Sequence, residues 1–333
     1  MSQAWFYDNP LFEAGAPPLK PWLSVILPVY RGEEWLDRTL SSVAIGACPG
    51  IEVVVIDSSP DRESMAIIRR FEEQLELRII EPGGIDGCSP KMNLGVEVAS
   101  AEHISWLCQD DLWFPNRVRM VSNWIAENPG AVLHLAPSAI VDRNDRRLGI
   151  WRCPLEEGSR PLDPSILLEK LLVQNFVAVP SPIVLRDAWL ACGGLDTTLW
   201  YTGDWDLWLK LARSGEVKYH REVTAGFRVH GSSATSTGSR RLEDFAEQQR
   251  HVVDKHIEAI PIERRPRLRQ LADASISINA ALAAGANGQS GAIFDAVRTL
   301  AAMGPINAAR YLHRSRLTER VLPRLRAKLA GIL

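Results

Sequence analysis

Short, unbroken apolar runs alternate along the first third of the chain with polar stretches whose hydrophobic positions return every three to four residues. An unbroken run of this length suits a strand buried on both faces, and a 3.6-residue return suits a helix lying against it. The runs predict strands over Leu23 to Pro28 (LSVILP), Glu52 to Asp57 (EVVVID), Leu77 to Ile80 and His103 to Leu107. Between them fall helices over Glu34 to Ala44, Asp61 to Gln74 and Ser89 to Ala99, the last opened by Ser89-Pro90 as cap and first turn. Strands alternating with helices of this length imply crossover units and an α/β fold with a mostly parallel central sheet.

The pattern continues with a helix from Pro115 that carries Val118, Val121 and Ile125 and ends near Asn128-Pro129-Gly130. A strand over Val132 to Val141 turns at Asp142-Arg143-Asn144-Asp145 and returns through Ile150. A short helix from Pro164, a strand over Ile183 to Leu185, a helix over Asp187 to Ala191 and a turn at Gly193-Gly194 follow. The span Asp204 to Arg213 reads as a helix with Leu207, Trp208 and Leu211 on one face and Gly215 as its stop. Strands over Val217 to His220 and Ala225 to Val229 complete a unit spanning 22–238. Residues 1–21 read as an irregular lead-in, and 239–333 as a helical C-terminal region rich in Ala and Arg.

Charge changes the picture in one place. Over 301–333 seven basic residues face the single acid Glu319, so this stretch is either a solvated basic helix or a contact for an anionic membrane surface. Elsewhere, a net charge of -2 provides no global field for nucleic acid. The lead-in lacks the basic and apolar regions of a signal peptide, and no apolar run reaches the roughly 18 residues of a spanning helix. Five scattered cysteines without a CxxC pair argue against a disulfide framework or zinc knuckle and suit a reducing cytosol. A cytoplasmic chain, peripheral at the inner face of a membrane if the basic stretch touches it, is the expectation.

The chemistry concentrates at strand ends. Asp110 and Asp111 follow the apolar run ISWL, where adjacent carboxylates repel each other and persist when a cation or proton offsets that repulsion. A divalent metal site is the leading reading. Ligands of open α/β sheets sit beyond the carboxyl ends of the strands, where Asp57, Asp110 and Asp111 all fall. Lys91 and Asn93 lie on the helix after the Gly83-Gly84 loop, placed to meet phosphate or sugar oxygens.

In order, the chain carries Pro28-Val29-Tyr30 at the first strand end, Asp57 at the second, Lys91 and Asn93, then QDDLW, GGLD, GDWDLWLKLA and FRVHGSS. This order resembles family 2 glycosyltransferases with the Rossmann-like GT-A fold, over roughly Leu23 to Ser236. The resemblance implies a nucleotide-binding half over 22–114 and an acceptor half over 115–238. It implies an inverting transfer of sugar from a nucleoside-diphosphate sugar to a hydroxyl of a glycan, lipid-linked or other acceptor. It places Pro28, Tyr30, Glu33, Asp57, Lys91, Asn93, Gln109 and Asp110 at the donor. Asp110, with Asp111 and His230, would hold Mg or Mn, since hard cations prefer carboxylate oxygens. Asp204 would be the general base, and Trp113, Gly193, Gly194, Trp200 and Trp205 would frame the acceptor.

Three positions depart from the family pattern: Cys108 at the first motif Asp, Arg31 after the tyrosine where Asn is frequent, and Gly203 where a Glu often stands. They motivate a competing reading, a non-catalytic nucleotide-sugar or glycan-binding relative, against which Asp110, Asp204 and His230 stand together. A sugar nucleotidyltransferase is disfavoured because VYRGEEW after the first strand holds one glycine rather than a glycine-rich phosphate loop. A dehydrogenase is disfavoured because no GxGxxG opens the first helix.

Overall fold

The computed structural model describes residues 20–158, 160–233, 241–289 and 291–329. Most of the lead-in and most of the 231–240 loop lie outside them. The first half is strictly alternating: β1 (Leu23–Val29), α1 (Leu36–Ile45), β2 (Ile51–Asp57), α2 (Glu63–Arg69), β3 (Glu76–Ile80), α3 (Cys88–Val98) and β4 (His103–Trp106). Then come β5 (Leu112–Trp113), α4 (Arg117–Glu127), β6 (Leu133–Leu135), β7 (Ser138–Val141), β8 (Arg147–Trp151) and α5 (Pro164–Val173). The unit closes with β9 (Ile183–Leu185), α6 (Arg186–Ala191), α7 (Gly203–Leu211), β10 (Val217–Tyr219) and β11 (Ala225–Arg228).

Seven strands form one sheet in the order β10-β6-β9-β4-β1-β2-β3, parallel except for β9, which runs against both neighbours. β1 and β2 are buried along their whole length, as their unbroken apolar runs require. Their register pairs Val29 with Asp57, and β1 pairs Ile26 with Trp106 of β4, so the three carboxyl ends open side by side. α3 lies close on this sheet because Gly95 has no side chain; a Cβ there would come within 2.3 Å of Ile26 Cγ2. A second sheet, β5-β11-β7-β8, begins directly after the acidic pair.

The expected strand over Val132 to Val141 is two strands in different sheets. Pro137 stands between them and has no N–H to donate, so the ladder breaks there and the chain crosses from one sheet to the other. α3 starts one residue earlier than expected, at Cys88; Gly87 at φ 84° takes the cap position, and no side chain caps the helix. The stretch Asp61 to Gln74 is regular helix only over Glu63–Arg69 and continues as turns. Gly215 lies beyond the end of α7 and fits against Val132 instead of stopping the helix.

The C-terminal region is α8 (Leu242–Ile257), α9 (Arg265–Ala286), α10 (Ala292–Ala302), α11 (Pro305–Ser315) and α12 (Leu317–Leu329). Val252, Val253 and Ile257 of α8 share one apolar cluster with Leu171, Trp205 and Trp208, so these helices complete the core. The basic stretch is not uniformly solvated. Arg320 and Arg324 turn inward onto the Trp151 ring at 5.2 and 5.7 Å, and burial pulls the Arg324 guanidinium down to about 10. Arg316 pairs with Glu319. No described helix is long and apolar enough to cross a membrane.

Candidate functional site

The carboxyl ends of β1, β2 and β4 gather the residues expected at the donor, in different roles. Tyr30 follows β1 and is half-exposed, its ring covered by the Lys91 ammonium at 5.3 Å and the Arg31 guanidinium at 5.5 Å. Arg31 sits at φ 49°, and its N–H donates to Ser59 Oγ at 2.9 Å. Pro28 is buried within β1, whereas Glu33 is exposed. Asp57 is buried, and its Oδ1 accepts the Ser59 N–H at 2.9 Å. Lys91 is buried, its ammonium donating to the Val29 carbonyl at 2.7 Å. Burial lowers its pKa against the opposing pull of Cys88, Asp57 and Asp86, which places a cation among these acids at the strand ends.

Two expected donor contacts are engaged within the protein. Gln109 accepts the Tyr30 N–H at 2.8 Å and donates to the Tyr30 carbonyl at 3.0 Å, so it fixes the tyrosine loop. Asn93 donates to the Leu195 carbonyl and accepts the N–H groups of Leu195 and the Trp189 indole. Its amide therefore ties α3 to the Gly193-Gly194 turn. Both glycines have positive φ, and a Cβ on Gly194 would meet Asn93 Oδ1 at 2.5 Å. Gly194 thus serves this clamp, while Gly193 leaves open space where a Cβ would stand.

The acidic pair divides. Asp110 is partly exposed, and its Oδ2 meets His230 Nε2 at 2.9 Å. His230 also meets Ser232 Oγ at 2.8 Å, and its ring lies 4.8 Å from that of Trp35. Asp111 turns inward: Oδ1 accepts the Arg228 N–H at 2.9 Å, and Oδ2 is buried with no hydrogen-bond partner among the described residues. Burial and the neighbouring Asp110 charge push the Asp111 carboxyl well above its ordinary range, opposed by Arg228.

Cys108, Asp110 and Asp111 place one ligand atom each within 4.8 Å of one another. Burial, with the two aspartates, holds the Cys108 thiol protonated, and a neutral thiol is a poor ligand for a hard cation. The orphaned Asp111 oxygen behind a partly open Asp110–His230 pair nevertheless fits a divalent ion.

Asp204 lies in the first turn of α7, half-buried. One oxygen accepts from Asn175 Nδ2 at 3.0 Å, and the other meets the Trp205 N–H at 2.7 Å. Burial raises its carboxyl to about 6, and these two donors hold it from rising further. Asp206, two residues on, is fully buried and bonded to Lys210, Lys255 and His256. Burial pushes the Cys88 thiol up to about 12, with Lys91 pulling it down and Asp110 and Asp204 pushing it further up.

Trp113 and Trp205 do not frame the acceptor as expected. Trp113 is a core residue under the Arg117 guanidinium, and Trp205 is buried with its indole N–H donating to the Leu171 carbonyl at 2.8 Å. Both stand on the inward faces of their elements, where their apolar area is removed from water. Trp200 is the exposed member of the expected aromatics, at 44%.

Arg228, Trp35 and Asn175 escaped the sequence reading. Arg228 is buried on Trp35, donates to the Asp110 and Asp142 carbonyls and pairs with Asp145. Its place two residues before His230 in FRVHGSS was the available signal. Asn175 follows α5 without any motif.

Comparisons with known proteins agree with this architecture. Residues 24–179 match the family described as Glycosyl transferase family 2. An uncharacterized glycosyltransferase of Rickettsia typhi is 26% identical over 229 residues, covering 68% of this chain and 69% of its own. One from Nostoc sp. is 25% identical over 232 residues, covering 68% and 71%. Among solved structures, S. aureus TarS 1-349 in complex with UDP-GlcNAc superposes with a TM-score of 0.61 at 15% identity, covering 89% of this chain and 88% of that one. Mannosyltransferase PcManGT of Pyrobaculum calidifontis, in complex with GDP-Man and Mn2+, gives 0.54 at 19% identity over 96% and 92%.

Proposed function

Since the chain is a nucleotide-sugar-dependent glycosyltransferase with a family 2 domain over residues 24–179, we propose that it transfers the sugar with inversion and that Asp204 is its general base. The observation that carries this is the Asp204 carboxyl itself. Raised by burial to about 6 and oriented by Asn175, it is ionised at neutral pH yet basic enough to take a hydroxyl proton. The acceptor oxygen attacks the anomeric carbon as Asp204 removes its proton. The bond from that carbon to the diphosphate breaks, and its electron pair leaves with the diphosphate.

On the donor side, Asp57 receives the nucleoside and Lys91 adds positive charge near the diphosphate, with Tyr30 as one wall. Gln109 and Asn93 position these elements from behind. Asp110 and His230 would hold a Mg or Mn ion, with Asp111 beneath them, and such an ion offsets charge on the departing diphosphate. The acceptor is a hydroxyl of a glycan or lipid-linked glycan approaching past Gly193 and Trp200. UDP-GlcNAc and GDP-Man, the ligands of the structural neighbours, define the first donors to try.

The test is calorimetry of UDP, GDP, dTDP, CDP and their sugars with Mn, Mg or EDTA, on the native protein and Asp110→Ala. Binding to the metal-loaded native protein that is lost with EDTA or the substitution supports the reading and names the donor class. Equal binding in all three conditions would remove the metal role from Asp110.

A further inference from the structure

A groove runs between α5, α9, α10 and α11. It has two lobes of about 530 and 550 Å³ that meet at Val173, Arg267, Leu271 and Arg314. Its floor is largely apolar, yet five cations line it, Lys170, Arg264, Arg267, Arg310 and Arg314, against the two acids Glu169 and Glu263. Arg264 is neutralised by Glu169 at 3.0 Å, and Lys170 donates to the Pro154 carbonyl at 2.7 Å. Arg267, Arg310 and Arg314 have no ion-pair partner among the described residues. Burial lowers the Lys170 pKa, and Arg314 and Arg316 lower it further against the opposing pull of Glu156.

This excess is local. Arg316, Arg320 and Arg324 of the same basic stretch are paired or stacked inward, whereas Arg310 and Arg314 stand one turn apart along α11. Ile306 lies one turn before Arg310 on the same stripe and is 67% exposed. Ile166, at 53%, lines the second lobe, and Ile262, at 74%, precedes its Glu263 and Arg264. One exposed isoleucine thus lines the groove, and two more adjoin its lining residues Glu263 and Asn307 in the chain. Apolar side chains enter the boundary of a bilayer while guanidinium groups bind phosphate, so the two features together fit a lipid surface better than a soluble anion.

We propose that this groove is a membrane-anchoring site that takes the phosphate headgroups of anionic phospholipids on Arg267, Arg310 and Arg314, with these isoleucines entering the interface. It is independent of the catalytic reading. The occupant is a bilayer lipid; a free phosphate would gain nothing from the isoleucines.

Flotation with phosphatidylcholine vesicles, and with the same vesicles carrying about one quarter phosphatidylglycerol, tests it on the full chain. The native protein should partition to the anionic vesicles, and Arg267→Gln/Arg310→Gln/Arg314→Gln should partition about 100-fold less. Arg298→Gln, at an exposed arginine paired with Asp295 outside the groove, should float like the native protein. Ile262→Ser/Ile306→Ser keeps every cation and should still lose binding severalfold. Nucleotide titration of each variant shows that the donor site is intact, which separates this question from the catalytic one. Equal flotation of the triple variant, equal flotation on neutral vesicles, or a loss for Arg298→Gln matching the triple variant would overturn the proposal.

Discussion

Asp204 and Asp206 stand two residues apart in the first turns of α7, and their surroundings push them in opposite directions. The outward face leaves Asp204 with one amide and one backbone N–H, and burial holds its carboxyl near 6. On the inward face burial also acts to raise Asp206, but His256, Lys210 and Lys255 outweigh it and hold that carboxyl well below the ordinary range. One helix therefore presents a carboxylate poised to exchange a proton and another that stays ionised as a fastener between α7 and α8. Partner count and partner charge decide the role, since residue type and helix are shared and burial acts to raise both carboxyls.

Substitutions should break this contrast in graded ways. Asp204→Asn should lower transfer by about 1000-fold while nucleotide affinity holds, read by turnover and calorimetry side by side. A variant keeping most of its turnover would remove Asp204 from the base role. Asp206→Asn should instead cost about 3 kcal/mol of stability, because Lys210 and Lys255 lose a buried counter-charge; denaturant titration measures it. The pH dependence of that loss has a definite sign. The folded pKa of Asp206 lies below its unfolded value near 3.9, so its stabilisation is full above that value and fades as pH falls through the lower folded pKa.

The pH profile of turnover sharpens the comparison. Asp204 must be ionised to accept a proton, so kcat/KM should fall as pH drops through about 6. Asn175→Ala removes a donor that favours the charged form and should move this limb to higher pH, with a smaller loss at pH 8 than at pH 6. A limb that stays in place would show that Asn175 does not tune the base. Smallest of all, Trp200→Ala should raise the acceptor KM about 5-fold, the scale of one aromatic contact, with donor KM unchanged.

Much of the α/β half was legible because buried parallel strands write themselves as unbroken apolar runs; β1 and β2 lie within a residue of their expected bounds. Asp57 fell at a strand end, and Asp110 and Asp111 beyond one, for the same reason. What local pattern does not carry is the direction of a side chain within a tertiary setting. Trp113 and Trp205 have the composition of sugar-stacking residues, yet they serve the core. Asn93 and Gln109 have the chemistry of ligand contacts, yet partners about 100 and 79 positions away in sequence occupy their amides. Arg228 was hidden similarly, since its partners, the Asp110 and Asp142 carbonyls and the Trp35 ring, lie in three separated segments.

The loop from Leu107 to Leu112 is gripped at both ends. The Leu107 N–H donates to Ile26 of the large sheet, and Leu112 pairs with Gly226 of the small one. An inserted or deleted residue between them would throw one sheet out of step with the other, whereas an exchange at Cys108 keeps the two in step. Natural variation in this segment should accordingly be poor in length, with changes of spelling falling at positions such as Cys108. For protein engineering, the same geometry fixes the length of this loop, while Gln109, Asp110 and Asp111 fix most of its letters.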